Sequence, residues 1–356
     1  MIKSFLGHVK KGKCDKMGEC NMRDLAYLQL LAREYPSVKE ATSEIVNLMA
    51  ICSLPKGTEY FFSDLHGEYE AFIHLLRSSS GIIREKIKET FGHLIPEEEQ
   101  LQLANLIYYP ERHLPRMMKV GRYTEDWQKI TIYRLVKICR EVSSKYTRSK
   151  VRKKMPKEFA YIIDELLHVD YSDENKKLYY NEIIHSIIDT SIADKFIVAL
   201  CRLIQNLTID NLHIIGDIFD RGKDVPQIFW LFYKLEDEAT KAGGTVSFLL
   251  GNHEPLVLAN DLRYTKDKYK VLAEKLGMDY PKLFGPDTEL GRWLGTRNTM
   301  QTIGSDLYVH AGLGKNFYDR NLSIPTVNEE MSKALFMNKK ERRALSPLTA
   351  FLYGND

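Results

Sequence analysis

Four short blocks carry most of the metal-type and acid–base side chains of this 356-residue chain. They read Asp64-Leu65-His66-Gly67, Asp217-Ile218-Phe219-Asp220-Arg221-Gly222, Gly251-Asn252-His253-Glu254 and His310-Ala311-Gly312. Alone, each is weak: Asp-x-His is an ordinary loop, Asn252 is a good helix cap, and His310 fits a core. Together they offer a donor set for two divalent cations. Two carboxylates, Asp64 and Asp217, partly neutralise such a pair and leave positive charge for a phosphate. Imidazole with carboxylate suits Mn, Fe or Zn better than Ca. One shared carboxylate, assigned to Asp217, can hold two metals roughly 3.5–4 Å apart, so that hydroxide forms near neutral pH and attacks phosphorus in line. His253 stands one residue beyond a ligand, placed to protonate the leaving alkoxide. Asp220 can fix its tautomer and raise its pKa, and Arg221 offers a bidentate fork for phosphoryl oxygens.

The elements that must position these groups are strands. Each block follows a short, nearly unbroken apolar run: 58–63, 212–216, 246–250 and 307–309. Such runs suit strands buried on both faces. Helical text over 225–239 and 266–275 separates the later ones, which predicts β-α-β units with a sheet between helices. In open α/β sheets ligands bind beyond the carboxyl ends of the strands, and all four blocks lie there. From Glu68 to about Leu207 apolar residues recur at helical spacing, notably over 71–76, 101–109, 127–142, 159–167 and 181–207. Two more helices are expected before the first strand, over 22–34 and after Pro36, the second capped by Ser37. Residues 1–21 read as a loose basic arm, in which Cys14 and Cys20 have only His8 nearby and make no zinc site. The expected division is an arm with helices over 1–57, a core formed by 58–76 and 209–356, and a helical insertion over 77–208. Between Lys137 and Lys157 lie nine basic residues and one acid, Glu141. This run reads as a solvated face or turn, with an anionic partner as the alternative.

Composition narrows the class. Hydrophobic residues make up 44% and charged residues 28%, which excludes disordered, collagenous and disulfide-scaffold chains. Fifty-one Lys and Arg against 48 Asp and Glu leave +3, so no global field calls for nucleic acid or membrane. The five cysteines form no C-x-x-C pair, which suggests free thiols in a reducing compartment. No apolar run approaches the ~18 residues of a membrane span, and the N-terminus has no signal-peptide core. A cytoplasmic globular protein is expected.

With these motifs the chain resembles the calcineurin-like metallophosphoesterases, whose signature runs Asp-x-His, Gly-Asp-x-x-Asp-x-Gly, Gly-Asn-His-Glu/Asp and later histidines. Arg221 and Glu254 place it near the phosphoprotein-phosphatase branch. The resemblance implies an α/β (α+β) fold, a β-sandwich flanked by helices around a two-metal centre. It also implies that Asp64, His66 and Asp217 hold one metal and Asp217, Asn252 and His310 the other. Asp64 and Asp217 are 153 positions apart. That long helical insertion, the segment 59–69 and the closing 348–356 resemble the class III (Firmicutes-type) fructose-1,6-bisphosphatases. The likeness implies hydrolysis of D-fructose 1,6-bisphosphate to fructose 6-phosphate and phosphate in gluconeogenesis. It implies Mn²⁺ as cofactor and a sugar bisphosphate as partner, with neither nucleic acid nor membrane. Arg140, Arg148, Arg152 and Lys153 of the insertion are candidates for the second phosphate. The family's final Gly-His motif is missing, and no histidine follows His310. The expectation is therefore an N-terminal portion with an incomplete second metal site, open to homo-oligomerisation or association with a missing C-terminal segment. The alternatives are a phosphoprotein or dinucleotide-polyphosphate phosphatase, and a catalytically weak fragment.

Overall fold

A computed structural model describes residues 22–55, 57–169 and 173–354. The basic arm, with Cys14 and Cys20, lies outside them. The chain divides into two compact units, Met1–Pro55 and Lys56–Asp356. In the first, helices occupy Met22–Glu34 and Val38–Ile51. Ser37 caps the second as expected, its Oγ accepting from the Glu40 N–H at 3.2 Å. That helix buries none of its residues.

The second unit is built on a parallel sheet of β1 (Glu59–Phe62), β2 (Asn211–Ile215) and β3 (Thr245–Leu249), with β2 in the middle. Phe62 pairs with Ile214, and Ile215 with Leu249. The strands therefore end almost level, and the residues just past them reach one edge. A helix over Val225–Ala242 links β2 to β3, as the parallel crossover requires. Its Phe229 and Phe232 are fully buried against Phe248 of β3, Phe72 and Phe219. At about 25 cal/mol per Å², burial of each such side chain is worth roughly 1.5–3 kcal/mol.

The fourth expected strand does not join this sheet. Asp306–Val309 (β5) pairs antiparallel with Met300–Ile303 (β4), a strand the apolar pattern does not reveal. The hairpin packs by its rings instead: Tyr308 stacks on Phe61 at 4.6 Å, and Phe61 stacks on His213 at 4.9 Å. Among the described residues there are five strands, so helices dominate.

The insertion between β1 and β2 is helical, as expected, but its last segment is two helices, Glu174–Asp189 and Ala193–Thr208. Ser191 takes a left-handed φ of +57° and breaks what reads as continuous periodicity. Ile107, Leu135, Ile163, Phe196 and Leu200 form the centre of a core distinct from the one behind the sheet. Asp210 joins the two parts just before β2. Its carboxylate accepts from the Thr58 N–H at 3.0 Å, from Tyr146 Oη and from Lys150 Nζ at 2.8 Å. Burial pushes its carboxyl up, but the Lys150 and Tyr146 bonds and the Lys154 charge outweigh that and hold it at about 2.

The basic run spans the turn between the helices Glu125–Ser143 and Arg148–Lys154, as expected, and Arg148, Arg152, Lys153 and Lys157 are exposed, but several of its cations are paired. Arg148 and Arg152 each donate to Asp164 at 2.6 Å, Lys150 and Lys154 hold Asp210, and Arg140 donates to the Leu166 carbonyl. Lys150, Lys153 and Lys154 stand at the amino-terminal ends of the strands, beside Asp210 and Gly244. Five residues of strand, about 16 Å, separate that end from the residue blocks. Arg148 and Arg152 are thus committed to Asp164, and Lys150, Lys153 and Lys154 stand at the end of the sheet away from the residue blocks. No helix among the described residues is long and apolar enough to cross a membrane.

Candidate metal centre

The level strand ends bring the blocks together. The Asp64 N–H donates to the Gly216 carbonyl at 3.2 Å, and the His66 N–H to the Asp217 carbonyl at 2.9 Å, so the first two blocks continue the β1–β2 pairing past the sheet. Asp64, His66, Asp217, Asp220, Arg221 and Ala311 all hold φ between +42° and +68°. Left-handed backbone at so many non-glycine residues is costly and persists where the surroundings enforce it, typically at functional sites. The third block is pressed against the second. A Cβ on Gly251 would stand 2.2 Å from Asp217 Oδ1, so only glycine fits there.

Glu254 fixes this contact. Its buried carboxylate accepts backbone N–H groups of Gly251 (2.7 Å), Ile218 (2.8 Å), Asp217 (3.1 Å) and Phe219 (3.3 Å). Burial raises its pKa, with the Asp217 charge acting the same way. The sequence marks Glu254 as part of a motif but gives no hint that it laces two loops together. Thr265, which donates to Asp220 Oδ1 at 2.6 Å, carries no sequence signal at all.

Hydrogen bonds set the histidine tautomers. His66 Nδ1 lies 2.7 Å from the Phe219 carbonyl, and His310 Nδ1 lies 2.6 Å from the Ile215 carbonyl. A carbonyl only accepts, so both rings donate from Nδ1. In the neutral ring each therefore presents a lone pair at Nε2. His66 Nε2 is buried with no hydrogen-bond partner, 3.7 Å from Asp64 Oδ1 and 3.8 Å from Asp217 Oδ2. His310 Nε2 lies 3.2 Å from Asp217 Oδ2 and 3.1 Å from Asn252 Oδ1. Asn252 precedes the helix His253–Leu258 but makes no capping bond; its side chain turns to His310 instead.

Acceptors facing acceptors demand a positive charge between them. A proton is one answer: His310 has its pKa pushed up to about 9, foremost by its hydrogen bond with Asp217. A divalent cation is the other, and the chemistry of the set suits one. Two groups can each offer ligand atoms within 4.8 Å of one another: His66, Asp217 and His253, and Asp64, Asp217 and His310. Asp217 belongs to both. It is buried and held below the usual carboxylate range, because the His310 bond and the His253 N–H outweigh the effect of burial. Asp64, His66, Asp217, Asn252 and His310, the residues expected as ligands, are thus brought together, with His253 beside them.

His253 is buried, with Nδ1 2.7 Å from Asp220 Oδ2. The carboxylate accepts, so Nδ1 carries the proton. This bond raises the imidazole pKa, while burial opposes it. Its Nε2 faces Asp217 Oδ2 at 3.9 Å and Arg221 Nη2 at 3.5 Å. Arg221 is exposed at the rim, its own N–H donating to the Tyr264 carbonyl at 3.0 Å.

The model of the Firmicute fructose-1,6-bisphosphatase family matches residues 26–254, and that of the calcineurin-like phosphoesterases matches 184–349. A fructose-1,6-bisphosphatase class 3 of Clostridium acetobutylicum is 52% identical over 233 residues, 65% of this chain and 34% of that protein. One from Phocaeicola vulgatus is 56% identical over 204 residues, 57% of this chain and 31% of that protein. The chain thus spans about a third of the length of the curated relatives it matches. A solved cold-active protein-tyrosine phosphatase of a psychrophile Shewanella is 38% identical, covering 41% of this chain and 44% of its own, with a TM-score of 0.39. The calcineurin-like domain implies divalent metals, and with the model of the Firmicute fructose-1,6-bisphosphatases matching more than half of its length the chain belongs to that family.

Proposed function

We propose that this site hydrolyses the 1-phosphate of D-fructose 1,6-bisphosphate, releasing fructose 6-phosphate and phosphate, with Mn²⁺ as the metal. The names of the curated relatives support the substrate. The convergence of His66, His253 and His310 on the single Asp217 Oδ2 is the observation that carries the chemistry.

Asp64, His66 and Asp217 would hold one cation and Asp217, Asn252 and His310 the second. Such a pair supplies Lewis-acid charge to the phosphoryl oxygens and makes water acidic enough to attack near neutral pH. The protein's own residues do the rest. Asp220, fixed by Thr265, holds His253 with its proton on Nδ1 and raises the imidazole pKa, which favours a proton at Nε2. When water adds to phosphorus and the P–O ester bond breaks, Nε2 gives its proton to the sugar alkoxide. Arg221, exposed beside His253, can fork two phosphoryl oxygens. The buried Glu254 keeps the two loops in register through its four N–H bonds. A soluble metabolic setting in the cytoplasm, within gluconeogenesis, suits this reaction.

The test is a substrate panel with Mn²⁺: fructose 1,6-bisphosphate, a phosphopeptide and diadenosine tetraphosphate. The highest kcat/KM is expected for the bisphosphate. A phosphopeptide or the dinucleotide leading the panel would overturn the reading.

A further inference from the structure

A cavity of about 750 Å³ opens directly beside the metal-centre residues Asn252 and His310. That is within the range of small-molecule sites, about 300–1,000 Å³. It runs from those two side chains between the β4–β5 hairpin and the helices Ile324–Lys333 and Lys339–Leu345. Most of its wall is apolar, and the polar groups on it are few.

Arg342 is the first. It lines the cavity and is only 4% exposed. Its Nε donates to the Ala334 carbonyl at 3.1 Å, and its Nη2 to the carbonyls of Leu335 (2.9 Å) and Pro255 (3.2 Å). The Tyr353 ring lies 3.9 Å from the guanidinium carbon. These partners orient the fork but carry no charge, and among the described residues no carboxylate pairs with it. Burial lowers its pKa, the expected sign of a desolvated cation. A buried, uncompensated charge is expensive unless something anionic meets it. Lys315 and Lys339 stand on the same cavity wall, both exposed; among the described residues neither makes an ion pair, and the Lys339 charge also acts on Asp261. Thr299 adds a buried hydroxyl with no hydrogen-bond partner. One fixed guanidinium, two ammonium groups and an unsatisfied hydroxyl therefore share one space with the centre that would take the reacting phosphate.

Resting on the bisphosphatase reading, we infer that this cavity seats the part of the substrate that is not cleaved. Arg342 with Lys315 and Lys339 receives the distal phosphate, and Thr299 meets a sugar hydroxyl. This reassigns the second phosphate from the insertion, whose Arg148 and Arg152 are tied to Asp164, to the segment 299–342.

The experiment is calorimetric titration of the metal-free full chain with fructose 6-phosphate, a probe with one phosphate and a sugar. Saturable binding is expected, absent with fructose alone. Arg342→Ala removes three bonds to carbonyls and can unfold the chain. The informative variant is therefore Lys315→Ala with Lys339→Ala, two exposed positions, checked for an unchanged melting temperature. Its Kd should rise about tenfold or more, as expected for losing charge-assisted phosphate contacts. Arg342→Lys, which keeps the charge and loses the fork, should also weaken binding. An unchanged Kd in the double variant, or no saturable binding to the wild-type chain, overturns the assignment. Because this readout needs no turnover, binding without hydrolysis of the bisphosphate would condemn the catalytic reading alone.

Discussion

His310 Nε2 and Asp217 Oδ2 lie 3.2 Å apart, although 93 positions separate them in the chain. The imidazole is aimed by its Nδ1–H bond to the Ile215 carbonyl, at the end of the strand that delivers Asp217. One strand thus places the carboxylate and orients the ring that meets it, and the same oxygen faces His66 and His253.

Asp217→Asn should abolish metal-dependent phosphate release, since the amide offers one neutral oxygen where a shared anion is needed. His253→Asn should retain metal and lose about 10²- to 10⁴-fold in kcat, the usual range for a general acid. Steady-state kinetics beside metal content checks both. Full activity in Asp217→Asn would refute the role of the shared carboxylate.

Glu254→Gln should destabilise the fold more than its isosteric shape suggests. Both carboxylate oxygens accept two N–H groups each, and an amide must aim N–H donors at one pair. Leaving buried donors unmet costs about 1–3 kcal/mol each. Chemical denaturation should show a lower midpoint together with weaker metal binding. A midpoint equal to wild type would show that the four bonds are dispensable.

Gly251→Ala tests the close packing of the loops. The added methyl would meet Asp217 Oδ1 at 2.2 Å, so the carboxylate must move. A displacement of that kind at a reacting centre can cost about 10²-fold in rate. The change should appear in kcat and metal affinity; normal values of both would mean the loops yield freely.

Asp210 gives a pH dependence remote from the site. Its carboxyl is held at about 2 in the folded chain, against about 3.9 for a free side chain. A depressed pKa stabilises the fold above the unfolded value, and that contribution fades as pH falls from about 4 through 2. Urea denaturation from pH 6 down to pH 2.5 should show the loss. In Asp210→Asn the fold should be weaker at neutral pH by several kcal/mol, because Lys150 and Lys154 lose their buried partner. Its stability should also vary less across the acid window, and an unaltered acid slope would count against the linkage.

Much of this was legible in the residues. Apolar runs ending in Asp, Asn or His announce strands with a polar rim, and level register does the rest. What escaped depends on partners distant in the chain. The arginines at 148 and 152 look free in the sequence, because Asp164 becomes their neighbour only when two helices fold together. Thr265 reaches Asp220 across 45 positions. The hairpin 300–309 left a signal, Gly304-Ser305 between short apolar segments, but four-residue strands are too brief for alternation to stand out. Ser191 shows the reverse limit: periodicity continued through a point where the backbone turns left-handed.

The sharpest test of the whole account is the metal stoichiometry of the full chain, measured by Mn²⁺ titration for wild type, His66→Ala and Asp217→Asn. Wild type should bind more than one ion per chain, His66→Ala should lose one class of site, and Asp217→Asn should lose both. If Asp217→Asn binds manganese as wild type does, the shared-carboxylate centre is not there.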